Sequence, residues 1–473
     1  MYCILDERIG LRSWHLVPYA YYCNGERNAR QLTQEVFELL SRCDGLQDIE
    51  DGELVRKLEA EGFLHECKKG AYQLLPWQRG TCNNRYFPAM NWMITERCNF
   101  DCLHCFNAVG ATAIKSTAIM AVGKNSNEWT LEEAERLLDE AKSCQINAIT
   151  LTGGEPMLHK DFFEILAMIY ERSLYVEELN TNGHYITQES LDKMKALGCN
   201  PLMKISFDGL SYHDWLRNRS GAEESALKAI RLCVENGFRV KVQTNVHRKN
   251  VDVMLKTAET VEQLGAEEMR IIRTSESPRW RELAGDACLG IGEYYEAMLT
   301  FMESYCRQKH TMNIDIWQFM GYYPKYGSYA IKPVCCAEGK YRERQAVCRG
   351  NRGMVAVAAN GNLYPCMQLS GSYEQHGIHL GNVKKEGLQP LLTNSSYLEE
   401  VCTTVGTLAE KSEVCGSCEY FRYCCGGCRA IAFALTGDRF GHDPSKCIFF
   451  RNGYYKRITD MMGEYRNLTP ANL

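Results

Sequence analysis

No stretch of this 473-residue chain is apolar for long enough to span a bilayer. Its first residues, MYCILDERIGLRSW, place charges where a signal peptide needs an apolar core. Both absences lead to an expected cytoplasmic location without a membrane partner. A surplus of positive charge is lacking too: 54 Lys and Arg stand against 59 Asp and Glu, a formal net charge of −5. That balance offers no counter-charge for a phosphate backbone, so nucleic acid is not an expected partner. Internal repeats and low-complexity tracts are absent as well. At this length more than one core is expected.

Cysteine is what the chain has in abundance, with 24 residues. In a long chain without a secretory signal, that usage points to metal or redox chemistry rather than to disulfides. Nine of the 24 lie between Cys348 and Cys447, and three more, Cys98, Cys102 and Cys105, fall within eight residues. The scattered Cys144, Cys199, Cys233, Cys288 and Cys306 read as small buried hydrophobes.

The hydrophobic pattern divides the chain. Residues 1–82 read as a small separate unit of short strands and helices. LVPYAYYC is strand-like. ARQLTQEVFELLSRCDG is a helix with Leu32, Val36, Leu39 and Leu40 on one face and Gly45 as its stop. ELVRKLEAEGFL is a second helix with Leu54, Leu58 and Leu64 apolar, and KKGAYQLL is expected to return as a strand pair. The order suggests a winged-helix-like module. It is not basic, so peptide binding on a strand edge suits it better than DNA. From 88 to 310, six strand candidates (AMNWMIT, NAITLT, YVEELN, PLMKISF, RVKVQTNV and EEMRIIRT) alternate with amphipathic helices. This order predicts a parallel α/β sheet, open or barrel-like, with functional loops beyond the strands' C-terminal ends. Residues 107–129 form a long stretch of small residues, read as a loop or an insert. Residues 311–347 have no clear period and read as a bridge. The cysteine-dense region spans 348–450, and 451–473 is a tail.

Three thiolates in C-x3-C-x2-C, placed after the first strand, leave one coordination position of an iron–sulfur cluster open. Zinc with a distant fourth ligand is the competing reading of the spacing alone. Downstream, Gly153, Gly154, Glu155 and Pro156 follow the second strand, where exposed backbone groups can reach a polar ligand.

The triplet with GGEP resembles the radical S-adenosylmethionine (SAM) enzymes. Other strand ends fit as well: NTNG at 180–183, SFDG at 206–209 and QTNV at 243–246. The resemblance implies a partial (β/α)6 barrel and a [4Fe–4S] cluster on Cys98, Cys102 and Cys105, whose fourth iron is chelated by SAM. It implies that the reduced cluster cleaves SAM to a 5′-deoxyadenosyl radical, with the electron supplied by a flavodoxin- or ferredoxin-type donor. It also places Gly153, Gly154, Glu155 and Pro156 at the SAM amino group, Ser206 on the cofactor and Arg217 on its carboxylate. Asn182, Asp208 and Gln243 are carried with these as cofactor contacts.

The downstream pattern is Cys348-x12-Gly361-x4-Cys366, then Cys415-x2-Cys418-x5-Cys424-x3-Cys428, then Cys447. It resembles the SPASM domain with two auxiliary [4Fe–4S] clusters, three clusters in all. That resemblance assigns Cys415, Cys418, Cys424 and Cys447 to a distal cluster, and Cys348, Cys366 and Cys428 to a proximal one. For the fourth proximal ligand Cys335 and Cys336 are candidates, with Cys336 preferred. An open iron that binds a substrate thiolate is the rival.

A winged-helix-like unit ahead of such an enzyme is similar to the PqqD-like recognition element of ribosomal-peptide maturases. The implied activity is oxidative cross-linking of a precursor peptide bound by its leader. A thioether from a peptide Cys to carbon comes first, then a carbon–carbon or ether bond, then epimerisation. Anaerobic sulfatase maturases are a related alternative, but they carry Asp after the cysteine matching Cys366, where this chain has Met367. A non-catalytic iron–sulfur sensor with DNA binding is the reading from another class. The catalytic base is not assignable.

Overall fold

The computed structural model describes residues 1–466 apart from 15–16, 24–25, 27–28, 72–73, 76–77, 83–86, 106–126, 275–277, 337–342, 344 and 349–353. Most of the 107–129 loop therefore lies outside the described residues.

The N-terminal unit builds two small sheets. Strands β1 (Tyr2–Leu5), β5 (Asp44–Asp48) and β6 (Leu64–Cys67) form one, in the order β5-β1-β6. Strands β2 (Ile9–Trp14), β3 (Val17–Cys23), β4 (Arg30–Gln31) and β7 (Arg79–Cys82) form the other, in the order β4-β3-β2-β7. Helices α1 (Gln34–Ser41) and α2 (Glu53–Ala60) close the core. Thr33 caps α1 through the N–H of Val36. Leu40, Val55, Leu58 and Leu64 bury against Cys3, Leu5 and Leu11.

Several local expectations shift here. Helix α1 ends at Ser41, and Gly45 instead sits inside β5 at φ 74°, beside a register shift in the β1–β5 pairing. Leu64 opens β6 rather than extending α2, because Gly62 turns the chain at φ 75°. Among the described residues of KKGAYQLL there is a turn and no strand.

The alternating region folds as read. All six predicted strands are present: β8 (Ala89–Met93), β9 (Ala148–Thr152), β10 (Tyr175–Thr181), β11 (Leu202–Ser206), β12 (Val240–Val246) and β13 (Glu268–Arg273). Each pairs in parallel with the next. Helices α3 (Leu131–Ser143), α4 (Phe162–Glu171), α5 (Gln188–Ala196), α7 (Ala222–Glu235) and α8 (Met254–Gln263) return the chain between them, with the short α6 (His213–Arg217) ahead of α7. Their apolar faces bury against the outward residues of the strands, such as Ala226, Ala229 and Cys233 with Val240 and Val242. Thr130 and Glu133 form a capping box that starts α3 where the apolar period begins. The result is the α/β partial barrel that the sequence predicts.

The segment read as an aperiodic bridge carries three strands. β14 (Asn313–Ile316) adds in parallel to β13, and β15 (Met320–Tyr323) and β16 (Ser328–Ile331) continue antiparallel. Four-residue strands of mixed aromatic and polar residues leave too short a window for a period-2 signal. At the other edge β17 (Met354–Val357) pairs in parallel with β8 and antiparallel with β18 (Leu363–Tyr364). The cysteine-rich region thus grows out of the barrel sheet, which reaches eleven strands. Among the described residues no helix is long and apolar enough to cross a membrane.

Candidate active site

The cysteine triplet occupies the loop that leaves the C-terminal end of β8. Its backbone is held from below by the turn after β9: Gly154 N–H donates to Thr95 O at 2.8 Å and Glu155 N–H to Arg97 O at 2.8 Å. A Cβ on Gly154 would lie 2.3 Å from Arg97 O and 2.6 Å from Glu96 O, and one on Gly153 2.8 Å from Thr95 O. The glycines are therefore required for two backbones to touch, an approach no side chain permits.

Glu155 is fully buried and faces β10. Its carboxylate accepts from Thr181 Oγ1 (2.9 Å), Asn182 N (2.8 Å) and Met157 N (3.2 Å). Burial pushes its pKa up to about 7 against the pull of those donors. Asn182 in turn donates to Asn99 Oδ1 at 2.8 Å, so the NTNG turn is tied to the cysteine loop. Pro156 starts the short 3-10 turn that Glu155 caps.

Asp208, at the end of β11, has no solvent exposure. Its Oδ2 accepts from Arg217 Nε at 2.6 Å, and its Oδ1 from Asn245 N at 2.8 Å and Nδ2 at 3.1 Å. Burial raises its pKa, but Arg217 and His213 outweigh burial and hold it well below the carboxylate range. Arg217 Nη1 reaches Cys102 Sγ at 3.7 Å. The resemblance expected Arg217 and Asp208 at the cofactor itself. In the structure the two form a buried pair, and the guanidinium also reaches the Cys102 thiol. Ser206 and Gln243 sit opposite each other in register, and neither side chain makes a hydrogen bond among the described residues.

Three histidines beside this site were not singled out in the sequence. His104, inside the triplet, has its pKa lowered to about 3 by burial and by Arg217. Its Nε2 lies 3.2 Å from Asn245 Nδ2, and its Nδ1 has no partner among the described residues. His213 Nδ1 accepts from the N–H of Asp208 at 2.9 Å. His247 packs edge-on against Trp215, and burial lowers its pKa to about 4. His104 lay inside the quoted motif, but a single histidine carries no sequence signal of its own.

The C-terminal cysteines fall into two groups. Cys348, Cys366 and Cys428 lie close together: burial raises the pKa of Cys366 and Cys428, Cys428 and Cys348 add to the rise at Cys366, and Cys348 adds to that at Cys428. Cys415, Cys418 and Cys447 form the second, with Cys424 beside Cys415. Asp443 spans the two groups. It accepts from Cys428 N at 2.8 Å and caps the helix Pro444–Arg451 that carries Cys447. Cys335 lies near Cys424, and Cys336 packs with Cys415, Cys418 and Cys425. Cys336, the preferred fourth proximal ligand of the sequence reading, thus has members of the second group among its neighbours. No disulfide links the described cysteines.

The donor set fits the expected groups: three thiols on one loop, a glycine turn under them and uncommitted polar side chains above the strands. Comparison with known proteins bears on this directly. Residues 92–261 match the radical SAM superfamily, and residues 348–419 match the iron–sulfur cluster-binding SPASM domain. The chain carries a radical SAM domain and a SPASM domain. These domains imply SAM, a [4Fe–4S] cluster and further iron–sulfur clusters.

The chain is 29% identical to the AdoMet-dependent heme synthase of Methanosarcina barkeri, over 76% of its own length and 95% of that protein. It is 26% identical to the PqqA peptide cyclase of Granulibacter bethesdensis, over 74% of its length and 85% of the cyclase. In fold it matches Streptococcus suis SuiB bound to the precursor peptide SuiA, with a TM-score of 0.62 and 12% identity, covering 94% of this chain and 99% of SuiB.

Proposed function

We propose that this chain is a maturase of a ribosomally made precursor peptide. The observation that carries the reading is the N-terminal unit. Its three-stranded sheet leaves β5 and β6 as edges, and Leu46 on β5 is 59% exposed. An edge strand with an exposed apolar side chain is suited to receive an extended leader peptide as an added strand. A PqqD-like recognition role is assigned to residues 1–82 on this ground. The likeness to SuiB, whose structure holds its precursor peptide, and to the PqqA peptide cyclase supports the same reading.

Bound SAM supplies a 5′-deoxyadenosyl radical. The chain's own residues position and shield the reaction. Gly153 and Gly154 let the turn after β9 close on the cysteine loop, and Glu155 and Asn182 lock the end of β10 beneath it. Ser206 and Gln243 are free to orient the cofactor. Of the products considered, a thioether suits the cysteine groups best. One hydrogen atom leaves the peptide carbon as part of 5′-deoxyadenosine. The peptide thiol loses a proton as the C–S bond forms, which leaves one electron over; the auxiliary [4Fe–4S] clusters, the second and third of three, would be held by Cys348, Cys366 and Cys428 and by Cys415, Cys418, Cys424 and Cys447, and would supply the acceptor for it.

A second reading is favoured by a specific observation, the identity with a heme synthase across 95% of that protein: modification of a tetrapyrrole. The two readings separate in one experiment. Full-length enzyme is reconstituted without oxygen and given SAM and dithionite, and 5′-deoxyadenosine is measured. The maturase reading expects release to rise when the peptide encoded beside the gene is added, and the rise to vanish when its leader is deleted. Release stimulated by an iron porphyrin and indifferent to peptide would establish the second reading instead.

A further inference from the structure

The inner face of the barrel carries charge in ordered rungs. Because successive residues of a strand alternate in direction, the residues opposite Val240, Val242 and Met269 point inward. One rung runs Lys204, Lys241, Glu268 and Asn313, and the next Ser206, Gln243, Arg270 and Asp315. Most of these charges are matched. Lys204 Nζ is 3.1 Å from Glu178, Lys241 Nζ is 2.5 Å from Glu268, and Asp315 is 3.6 Å from Lys332. Three carboxylates thus face three lysines, and Arg270 is the fourth cation.

Arg270 has no ion pair and no hydrogen bond among the described residues, and its Nε is buried without a partner. Its register neighbours are Gln243 and Asp315, the latter 3.6 Å from Lys332, and its charge adds with that of Lys241 to the burial that lowers the pKa of Lys204. Arg270 is half-buried, with its Nε inside the wall and the rest of the guanidinium left to face the barrel interior. A guanidinium's forked donors match a carboxylate. Beside it in register lies Gln243, whose amide is uncommitted. Nearby wall residues Asn180 and Asn91 carry buried amide oxygens without partners, which marks the interior as a polar binding space rather than a packed core.

We propose that Arg270, with Gln243 beside it, is a carboxylate-binding subsite of the barrel interior. The carboxylate comes either from the substrate or from the methionine portion of SAM, which shares the rung of Ser206. The inference rests on the reading of the barrel as the reaction chamber, but its test needs neither a peptide nor turnover, so it fails or stands apart from the maturase assignment.

The probe is glutarate, with uncharged glutaramide as its control, on anaerobically reconstituted full-length enzyme followed by saturation-transfer NMR. Wild-type enzyme is expected to bind glutarate and not glutaramide. Arg270→Gln should weaken glutarate at least tenfold, and Arg270→Lys should retain part of the binding. Both variants should keep wild-type iron content, which shows that they fold. Repeating the measurement with saturating SAM, then with decarboxylated SAM, separates the sources. Glutarate that still binds to SAM-loaded enzyme assigns the subsite to substrate. Glutarate displaced by SAM but not by decarboxylated SAM assigns it to the cofactor. No glutarate binding by wild-type enzyme, or equal binding by Arg270→Gln, would overturn the proposal.

Discussion

Arg217 links Cys102 to Asp208: its Nη1 lies 3.7 Å from the Cys102 sulfur while its Nε is fixed 2.6 Å from Asp208. The pair is buried, and Asp208 is itself clamped by two donors from Asn245. Arg217 is therefore held at the Cys102 sulfur by a fixed carboxylate.

Hydrogen bonds to cluster sulfurs raise a cluster's reduction potential, because they stabilise the more negative, reduced state. Arg217→Gln should therefore move the SAM-binding cluster to a more negative potential by roughly 50 mV, close to the 59 mV of a tenfold one-electron change. An EPR-monitored redox titration without SAM reads this. An unchanged potential, together with loss of SAM affinity, would instead return Arg217 to the carboxylate role that the family resemblance implied.

Gly154→Ala should remove the SAM-site cluster selectively. The new methyl would meet the backbone oxygens of Arg97 and Glu96 at 2.3 and 2.6 Å, and backbone cannot yield as a flexible side chain can. Iron analysis should show a loss of roughly four irons per chain, one cluster's worth. The visible spectrum of the auxiliary clusters should persist. Full iron content in this variant would show that the turn after β9 does not support the loop as described.

Asp6 gives the N-terminal unit an acid-sensitive anchor. Burial raises its pKa, but hydrogen bonds from Arg8 and His65 at 2.8 Å outweigh burial and hold it at about 2. A carboxylate whose folded pKa is depressed stabilises above its unfolded value of 3.8, and that contribution fades as pH falls from about 4 to about 2. The shift corresponds to about 2 kcal/mol. Hydrogen exchange of β1 and β6 in the full chain should show Asp6→Asn less protected than wild type at pH 6, with the gap closing near pH 2. A gap independent of pH would contradict the assignment.

How far the sequence reaches depends on the kind of signal. Long amphipathic helices and β-branched strands such as Val240–Val246 announce themselves, and so do thiols at fixed spacing. The spacing of the thiols carries the SPASM resemblance, but it does not reach Cys335 and Cys336. Those two are separated from the other cysteines by chain whose path no local pattern fixes. Strands β14 to β16 were hidden because each is four residues long and earns its place by pairing rather than propensity. The pairing of Arg217 with Asp208 was also invisible. Eight residues with a turn among them separate the two, and only the fold decides whether a buried arginine faces a ligand or a neighbour. The same holds for Arg270, which in the sequence EEMRIIRT is one more charged residue of an alternating strand.

The central claim is that the barrel oxidises a peptide delivered by the N-terminal unit. Mass spectrometry tests it most directly, after co-expression without oxygen of the enzyme and the short cysteine-containing peptide encoded beside its gene. The account predicts a loss of two hydrogens per site in the peptide, with fragmentation placing a new bond at a cysteine sulfur. It also predicts an unmodified peptide when Cys98, Cys102 and Cys105 are all changed to Ala. A peptide of unchanged mass and unchanged residue chirality, recovered with fully iron-loaded enzyme, would contradict it.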